Sequence, residues 1–128
     1  GALPAGGCVP AAAYLASLGI AFLEWGGQRS DGDFGRSDGP RLSPAIRKVF
    51  PGPLILNQDY DLARAQADLD SGLADAISFG RPFLANPDLV RRLREQAPLN
   101  EAQPETFYSQ GREGYIDYPT LDEPRAAA

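Results

Sequence analysis

The chain has 128 residues, a length that suits one domain. Its formal net charge of −5 argues against a nucleic-acid surface or an anionic membrane as its main partner. It holds one cysteine and no histidine, which excludes an internal disulfide, a thiolate metal cluster and a Ser-His-Asp or Cys-His site built within this chain alone. No apolar run approaches the roughly 20 residues that cross a bilayer, and we expect a cytoplasmic protein.

Helical patterns occur repeatedly along the chain. Apolar residues at i, i+4 spacing and flanking turn residues define them. Gly19 and Gly72 are placed to end two of the helices, and Asp61 can cap the third. The predicted helices are Pro10–Leu18, Ser43–Phe50, Leu62–Asp70 and Pro87–Gln96, the last with Asn86 as its N-cap.

Short apolar runs of strand length separate these helices. Each run loses its apolar character at its C-terminal end, at Glu24, Asn57 and Gly80. Strands that alternate with helices imply parallel pairing in an α/β fold, and the carboxyl edge of such a sheet carries the binding chemistry. The predicted strands are Ile20–Glu24, Leu54–Leu56 and Ala76–Phe79, with a glycine-rich loop from Trp25 to Gly39 after the first.

Side-chain patterning predicts which helix faces are buried. On the third helix we expect Leu62, Ala65, Gln66 and Leu69 along one face and Asp68 on the solvent side. On the last helix we expect an apolar stripe. Its members are Leu89, Val90 and Leu93.

Three parallel strands make an incomplete sheet, because two open edges would each present a row of unpaired N–H and C=O groups. The pattern leaves two interpretations open: a small open α/β layer, or the end of a longer (β/α)8 barrel, which has eight strands.

Gly80 and Arg81 form a candidate phosphate-binding loop after the third strand. Glycine allows close approach of the backbone, and a guanidinium suits a phosphate. The alternative is a tight loop with a solvated arginine. Glu24 likewise has two interpretations, a residue at a pocket mouth or a solvated strand end.

Several motifs in order resemble the old yellow enzyme family, whose members are FMN-dependent ene-reductases with a (β/α)8 fold. The resemblance extends from about Val9 to Leu121. Phe34-Gly-Arg36 and Leu54–Tyr60 are similar to the bacterial branch that reduces enoates and nitro compounds. The other motifs are Ser78–Leu89, Ala97-Pro-Leu-Asn100, Thr106-Phe-Tyr108 and Glu113–Pro119.

This resemblance implies that the chain is the C-terminal part of the barrel and holds strands six to eight. It further implies a domain organisation of a flexible segment over residues 1–8, barrel over 9–121 and a tail over 122–128. Tyr108 is implied to line the substrate pocket, and no metal site is expected. The implied FMN-binding residues are Gln58, Asp59, Ser78, Phe79, Gly80, Arg81 and Phe107.

The resemblance also implies what the chain lacks. The family's substrate-orienting His pair or His-Asn pair and its proton-donating Tyr belong to earlier strands, so no catalytic residue is expected in this chain. The implied reaction passes hydride from NAD(P)H through non-covalent FMN to an activated alkene. The implied partner is the N-terminal part of the same barrel. The open strand edges separately predict that the chain alone forms oligomers or is poorly soluble. Two other hypotheses remain: a non-catalytic remnant or association module, and a different phosphate-binding α/β enzyme.

Overall fold

A computed structural model of the chain describes residues 5–26, 41–57 and 59–123. The chain divides into two compact units, Gly1–Ser78 and Phe79–Ala128. The sequence predicted one continuous barrel segment over residues 9–121, so the division adds a boundary within it. Each unit is described here by itself.

The first unit contains a parallel three-stranded sheet in the order β1-β2-β3. Leu23 lies opposite Leu54, and Ile55 lies opposite Ala76. This arrangement confirms the predicted α/β class and its parallel pairing. In chain order the elements are α1 (Ala5–Ser17), β1 (Leu23–Gly26), α2 (Ser43–Val49), β2 (Leu54–Asn57), α3 (Leu62–Asp70) and β3 (Ala76–Ile77).

The core of the first unit lies against one face of the sheet. Leu54 and Leu56, on alternate positions of β2, are buried, while Ile55 between them is only half-buried. Ile46 of α2 and Phe50 after it are also buried. Period-two alternation therefore gives β2 one buried face and one that is less covered.

The Asp75 carboxylate fastens the start of β2. Its Oδ2 accepts hydrogen bonds from the Leu54 N–H at 2.8 Å and from Arg47 Nη1 at 2.8 Å. The bond from the Leu54 N–H, together with that from Arg47, lowers the pKa of Asp75. Arg47 also donates to the carbonyls of Phe50 and Gly52, so it closes the turn between α2 and β2.

The first helix and strand differ from their predicted bounds. α1 begins at Ala5, inside the segment predicted to be flexible, and Cys8 is buried on it. Gly19 has the left-handed conformation expected after a helix, with φ of +67°. β1 starts three residues later than predicted because its register begins opposite Leu54, directly after Pro53. Trp25 consequently lies in β1, and the prediction that it begins the loop is wrong.

The third helix has the predicted bounds but not the predicted faces. Asp61 caps it, since its Oδ1 accepts a hydrogen bond from the Arg64 N–H at 2.7 Å. Asp68 is only 7% exposed and Leu69 is 37% exposed, the reverse of the prediction. The buried face follows Ala65 and Asp68 at i, i+3 spacing, because Asp68 has hydrogen-bonding partners in the interior.

The second unit contains short helices and a long irregular segment. Its elements are α4 (Arg81–Ala85), α5 (Leu89–Glu95) and a 3-10 helix (Pro104–Thr106). Arg81, predicted to lie in a loop, is instead the first residue of α4. Gly80 is the N-cap of α4, and its carbonyl accepts hydrogen bonds from the Phe83 and Leu84 N–H groups. The third strand also ends earlier than predicted, at Ile77 instead of Phe79.

The final predicted helix also begins later than expected. Asp88, not Asn86, is the N-cap of α5, because the side chain of Asn86 is buried and bonded elsewhere. Leu89 is buried as predicted, but Val90 is 58% exposed. Arg92, one turn after Leu89, takes the buried position instead, and each of its three guanidinium nitrogens donates a hydrogen bond there.

Candidate functional site

Polar side chains lie in or directly after the strands of the first unit. Glu24 is the second residue of β1 and not its end as predicted, Asn57 ends β2 and Ser78 follows β3. The Ser78 hydroxyl donates a hydrogen bond to Glu24 Oε1 at 2.7 Å, which connects the two outer strands across β2. Glu24 is therefore a partner of a candidate site residue and not only a solvated strand end.

Asp59 follows the end of β2 and has an unusual backbone conformation. Its φ of 41° lies in the left-handed region, which aspartate tolerates better than most residues that carry a side chain. Gln58, predicted beside it, lies outside the described residues. Tyr60, the residue after Asp59, belongs to a polar cluster that fixes the chain at this point.

That cluster consists of Arg41, Tyr60 and Asp68. The Tyr60 hydroxyl donates to Asp68 Oδ2 at 2.6 Å and accepts from Arg41 Nη2 at 3.1 Å. Arg41 also forms an ion pair with the same carboxylate. Arg64 lies over the Tyr60 ring, with its guanidinium carbon 4.8 Å from the ring centroid. The cluster connects Arg41, two residues before α2, to the chain after β2 and to α3.

Electrostatics fix the protonation states of this cluster. Burial and the hydrogen bond to Asp68 raise the pKa of Tyr60 to about 12. Burial acts to raise the pKa of Asp68, but hydrogen bonds from Arg41 and Tyr60 outweigh it and leave that pKa below its ordinary value. The Asp68 carboxylate raises the pKa of Arg41. At neutral pH the cluster is thus a tyrosine hydroxyl between a carboxylate and a guanidinium.

In the second unit, the candidate residues Gly80, Arg81 and Phe107 meet around α4. The Arg81 guanidinium carbon lies 5.9 Å from the centroid of the Phe107 ring, within the range of a cation–π contact. Arg81 is exposed and Phe107 is half-buried. Phe79 is half-buried just before Gly80. The structure thereby brings together two residues that are 26 positions apart in the chain.

Tyr108 is the most exposed aromatic side chain among the described residues, at 93%. It follows Phe107 directly after the 3-10 helix, so the chain presents one ring to Arg81 and the next to solvent. A groove elsewhere in this unit is lined by residues 98–105 and 117–121 with Arg92 and Glu123, and it is separate from the Arg81–Phe107 contact.

Sequence reasoning missed the Arg41–Tyr60–Asp68 cluster and the buried polar residues around Asn86. A signal for Asp68 was present, because it shares a helix face with Ala65. No local signal identifies Arg41 as its partner, since the two are 27 residues apart. The described residues contain no group of three His, Cys, Asp or Glu side chains that could hold a metal ion. Among those residues no helix is both long and apolar enough to cross a membrane.

No family model matches the chain, but curated proteins do. The 12-oxophytodienoate reductase-like protein of Solanum lycopersicum is 47% identical over 78 residues, which cover 60% of this chain and 22% of the relative. A Leishmania infantum protein named "Probable flavin mononucleotide-dependent alkene reductase" is 45% identical over 75 residues, covering 59% of this chain and 20% of the relative. The chain thus spans about a fifth of the length of these relatives.

Solved structures are similar over nearly the whole chain. The old yellow enzyme homologue from Zymomonas mobilis is 59% identical and has a TM-score of 0.80, over 89% of this chain and 32% of that chain. Morphinone reductase is 41% identical, with a TM-score of 0.76 over 98% of this chain and 34% of that chain. These relatives confirm the resemblance to the old yellow enzyme family that the sequence motifs indicate.

Proposed function

We propose that this chain is the C-terminal part of an FMN-dependent ene-reductase of the old yellow enzyme family. It would supply strands six, seven and eight of a (β/α)8 barrel. The observation that carries the proposal is the likeness to the Zymomonas mobilis homologue, which extends over 89% of this chain but only 32% of that chain.

The uneven burial of the sheet supports an incomplete barrel. A parallel sheet is normally covered on both faces, and the apolar run Leu54-Ile55-Leu56 has the composition of such a strand. Leu54 and Leu56 are buried, whereas Ile55 is half-buried and its neighbour Ala76 is exposed. In a closed barrel the face that bears Ile55 and Ala76 would point to the interior, where earlier strands would cover it.

The residues that we propose to bind FMN fall into two groups along the chain. Gln58, Asp59 and Ser78 would contribute from the strand ends, and Phe79, Gly80, Arg81 and Phe107 from the chain after β3. The donor set fits the group, because an exposed guanidinium forms two parallel hydrogen bonds to a phosphate and an aromatic ring packs against a flavin edge. The contact of Phe107 with Arg81 would limit the positions that the guanidinium can take.

The remaining residues define what this chain would do in the reaction. FMN, when bound, would take hydride from NAD(P)H and deliver it to an activated C=C bond of an enone, enoate or nitroalkene. Tyr108, at 93% exposure, would line the pocket for that substrate. The chain has no histidine, so the groups that orient the substrate and donate its proton would come from the N-terminal part of the barrel.

Fragment complementation tests this proposal. The chain is mixed or co-expressed with a matching N-terminal fragment of a related barrel, and the product is called the reconstituted barrel below. We expect it to show the visible absorbance of bound flavin and to reduce an activated alkene with NAD(P)H. Failure of several well-folded N-terminal fragments to capture the chain would count against the enzyme.

The alternative, an association module, makes a different prediction for the chain alone. The outer edges of β1 and β3 would pair with other copies, so the purified chain should be oligomeric or poorly soluble. The enzyme-fragment hypothesis and the association-module hypothesis both predict self-association of the chain alone. Only the enzyme-fragment hypothesis predicts that self-association disappears in the reconstituted barrel. Sedimentation showing a compact monomer of the chain alone would contradict both.

Arg81 offers the most direct test of the cofactor site. In the reconstituted barrel, Arg81→Ala should weaken FMN binding by about 1.5–3 kcal/mol, the range for hydrogen bonds to charged groups. Arg81→Lys should recover only part, because an ammonium cannot reproduce the planar fork. Arg94→Ala, at an exposed arginine of α5, is the matched control for charge removal. Equal FMN retention in Arg81→Ala and Arg94→Ala would show that the guanidinium does not bind the cofactor.

A further inference from the structure

Four polar side chains hold the irregular segment of the second unit at its two ends. They are Asn86, Asp88, Arg92 and Asn100, and together they are called the tail clasp. Asn86 is 0% exposed and Arg92 is 5% exposed, although both side chains are polar. Every contact described below lies within the second unit.

The clasp first fixes the beginning of the segment. Asn86 Oδ1 accepts from the Asn100 N–H at 2.7 Å, and Asn86 Nδ2 donates to the Pro82 carbonyl at 2.8 Å. Arg92 Nη1 donates to the Pro98 carbonyl at 2.6 Å. The chain that leaves α5 is thus bonded to Arg92 of α5 and to Asn86, the residue that follows α4.

The same residues also fix the end of the segment. Arg92 Nη2 donates to the Pro119 carbonyl at 2.9 Å, and Asn100 Nδ2 donates to that carbonyl at 2.8 Å. Asp88 accepts from Arg92 Nε at 2.6 Å with one oxygen and from the Leu121 N–H at 2.8 Å with the other. Residues 101–118 therefore form a loop whose two flanks are both bonded to the buried Arg92 guanidinium, while the Asp88 carboxylate bonds to the C-terminal flank.

This loop carries the two aromatic residues of the candidate site. Phe107 contacts Arg81 at the start of α4, while Asn100 Nδ2 donates to the Ala85 carbonyl at the end of the same helix. Both ends of α4 are therefore connected to the loop. Tyr108 lies next to Phe107, so its position depends on how the clasp holds residues 101–118.

We propose that the tail clasp is a positioning device for Tyr108 and so determines which alkenes the enzyme accepts. This inference rests on the proposed function. Bonds from a planar guanidinium and from amides to backbone carbonyls are directional, so they fix the loop ends in a way that apolar packing alone does not. A loop anchored at both ends presents its exposed tyrosine in a limited range of positions, and substrate selectivity depends on such placement.

Two adjacent arginines of α5 provide a matched pair of variants. Asp88 pairs with Arg92 in the clasp, whereas Glu95 pairs with Arg91 on the exposed side of the helix at 3.0 Å. In the reconstituted barrel, Asp88→Asn should raise the KM for a bulky alkene by on the order of tenfold with a smaller change in kcat. Glu95→Gln should leave both unchanged.

A double-variant cycle separates positioning from simple stabilisation. If the clasp acts through Tyr108, adding Asp88→Asn to Tyr108→Ala should raise the KM no further. Hydrogen exchange of residues 101–118 should increase in Asp88→Asn and remain at the parent level in Glu95→Gln.

Additive effects of the two substitutions on KM, or unchanged exchange of the loop in Asp88→Asn, would overturn the inference. Global unfolding of Asp88→Asn is bypassed with Arg92→Lys, which keeps the charge and should give the same pattern. A parent barrel without flavin or alkene reduction overturns the proposed function, and the inference with it. If the parent barrel is active but the effects of Asp88→Asn and Tyr108→Ala on KM are additive, only the inference is overturned.

Discussion

Replacing Tyr60 by phenylalanine removes one hydroxyl from the cluster next to Asp59. The hydroxyl is bonded on both sides, to Asp68 Oδ2 at 2.6 Å and to Arg41 Nη2 at 3.1 Å. Tyr60 is 7% exposed, so water cannot easily replace the lost bonds. A hydrogen bond to a charged group contributes about 1.5–3 kcal/mol, and we expect Tyr60→Phe to lower the free energy of unfolding at neutral pH by about that amount.

The same variant should change how stability depends on alkaline pH. The pKa of Tyr60 is raised to about 12 in the folded state, and an unperturbed tyrosine has a pKa of about 10. A raised pKa contributes stability that is fully present below about pH 10 and is lost as the pH rises toward 12. The difference between the parent and Tyr60→Phe should therefore shrink between those two pH values.

Urea unfolding of the reconstituted barrel at fixed protein concentration measures both effects, because the stability of an assembly depends on concentration. Tyr14→Phe is the control, since Tyr14 is in the same unit and is 66% exposed. If Tyr60→Phe costs no more than Tyr14→Phe, the cluster does not stabilise the loop. If the difference stays constant above pH 10, the hydroxyl is not held by the carboxylate as described.

Substitutions at three further positions test single features of the two units by urea unfolding of the same assembly. Asp59→Val should cost about 1–2 kcal/mol because φ is 41° at this position, whereas Asp59→Gly should be close to neutral. Gly114→Ala should destabilise residues 104–114, because φ is +69° and the new methyl group would collide with the side chain of Thr106; an unchanged midpoint would contradict this geometry. Ile46→Ala should cost about 2–5 kcal/mol, as expected for a residue with no exposed surface, and a smaller loss would mean that the site collapses around the cavity.

Local signals predicted the elements that depend on neighbouring residues. Asp61 and Gly72 bound α3 because one accepts a hydrogen bond from the first turn and the other has a φ of +75°. The alternation of helices and apolar runs along the chain predicted that the strands pair in parallel, as they do. The exact start of β1 could not be predicted, because its register is set by Pro53 and Leu54, about 30 residues away in the chain.

The errors in the second unit have a common cause. Asn86 is of a residue type that is favoured as a helix N-cap, yet its side chain bonds to Asn100, which lies 14 positions later. Arginine side chains usually face solvent, yet Arg92 is buried and donates a hydrogen bond to the carbonyl of Pro119, which lies 27 positions away. Propensity describes what a residue does when only its neighbours compete for it, and here distant backbone groups provide better partners.

For the candidate site, the sequence motifs predicted the family and named eight residues. The structure describes the positions of all of these residues except Gln58. The contact of Arg81 with Phe107 joins two of those residues, and Ser78 is bonded to Glu24, which was left open as a strand end. The roles of these residues toward FMN stay predictions. What the motifs could not supply is the set of polar residues that hold the site residues in place.

Those supporting residues follow one arrangement in both units. In the first unit Asp68 receives hydrogen bonds from Arg41 and Tyr60, and in the second unit Asp88 receives them from Arg92 and the Leu121 N–H. The Arg92 side chain is 5% exposed, whereas that of Arg41 is 38% exposed. A buried ion pair such as Asp88–Arg92 contributes little net stability, because desolvation of the charges offsets their attraction. Its directional bonds nevertheless fix the segments it joins. Each pair lies beside a segment without regular structure that carries a candidate site residue. We infer that such pairs fix the conformation of these segments, which no helix or strand does.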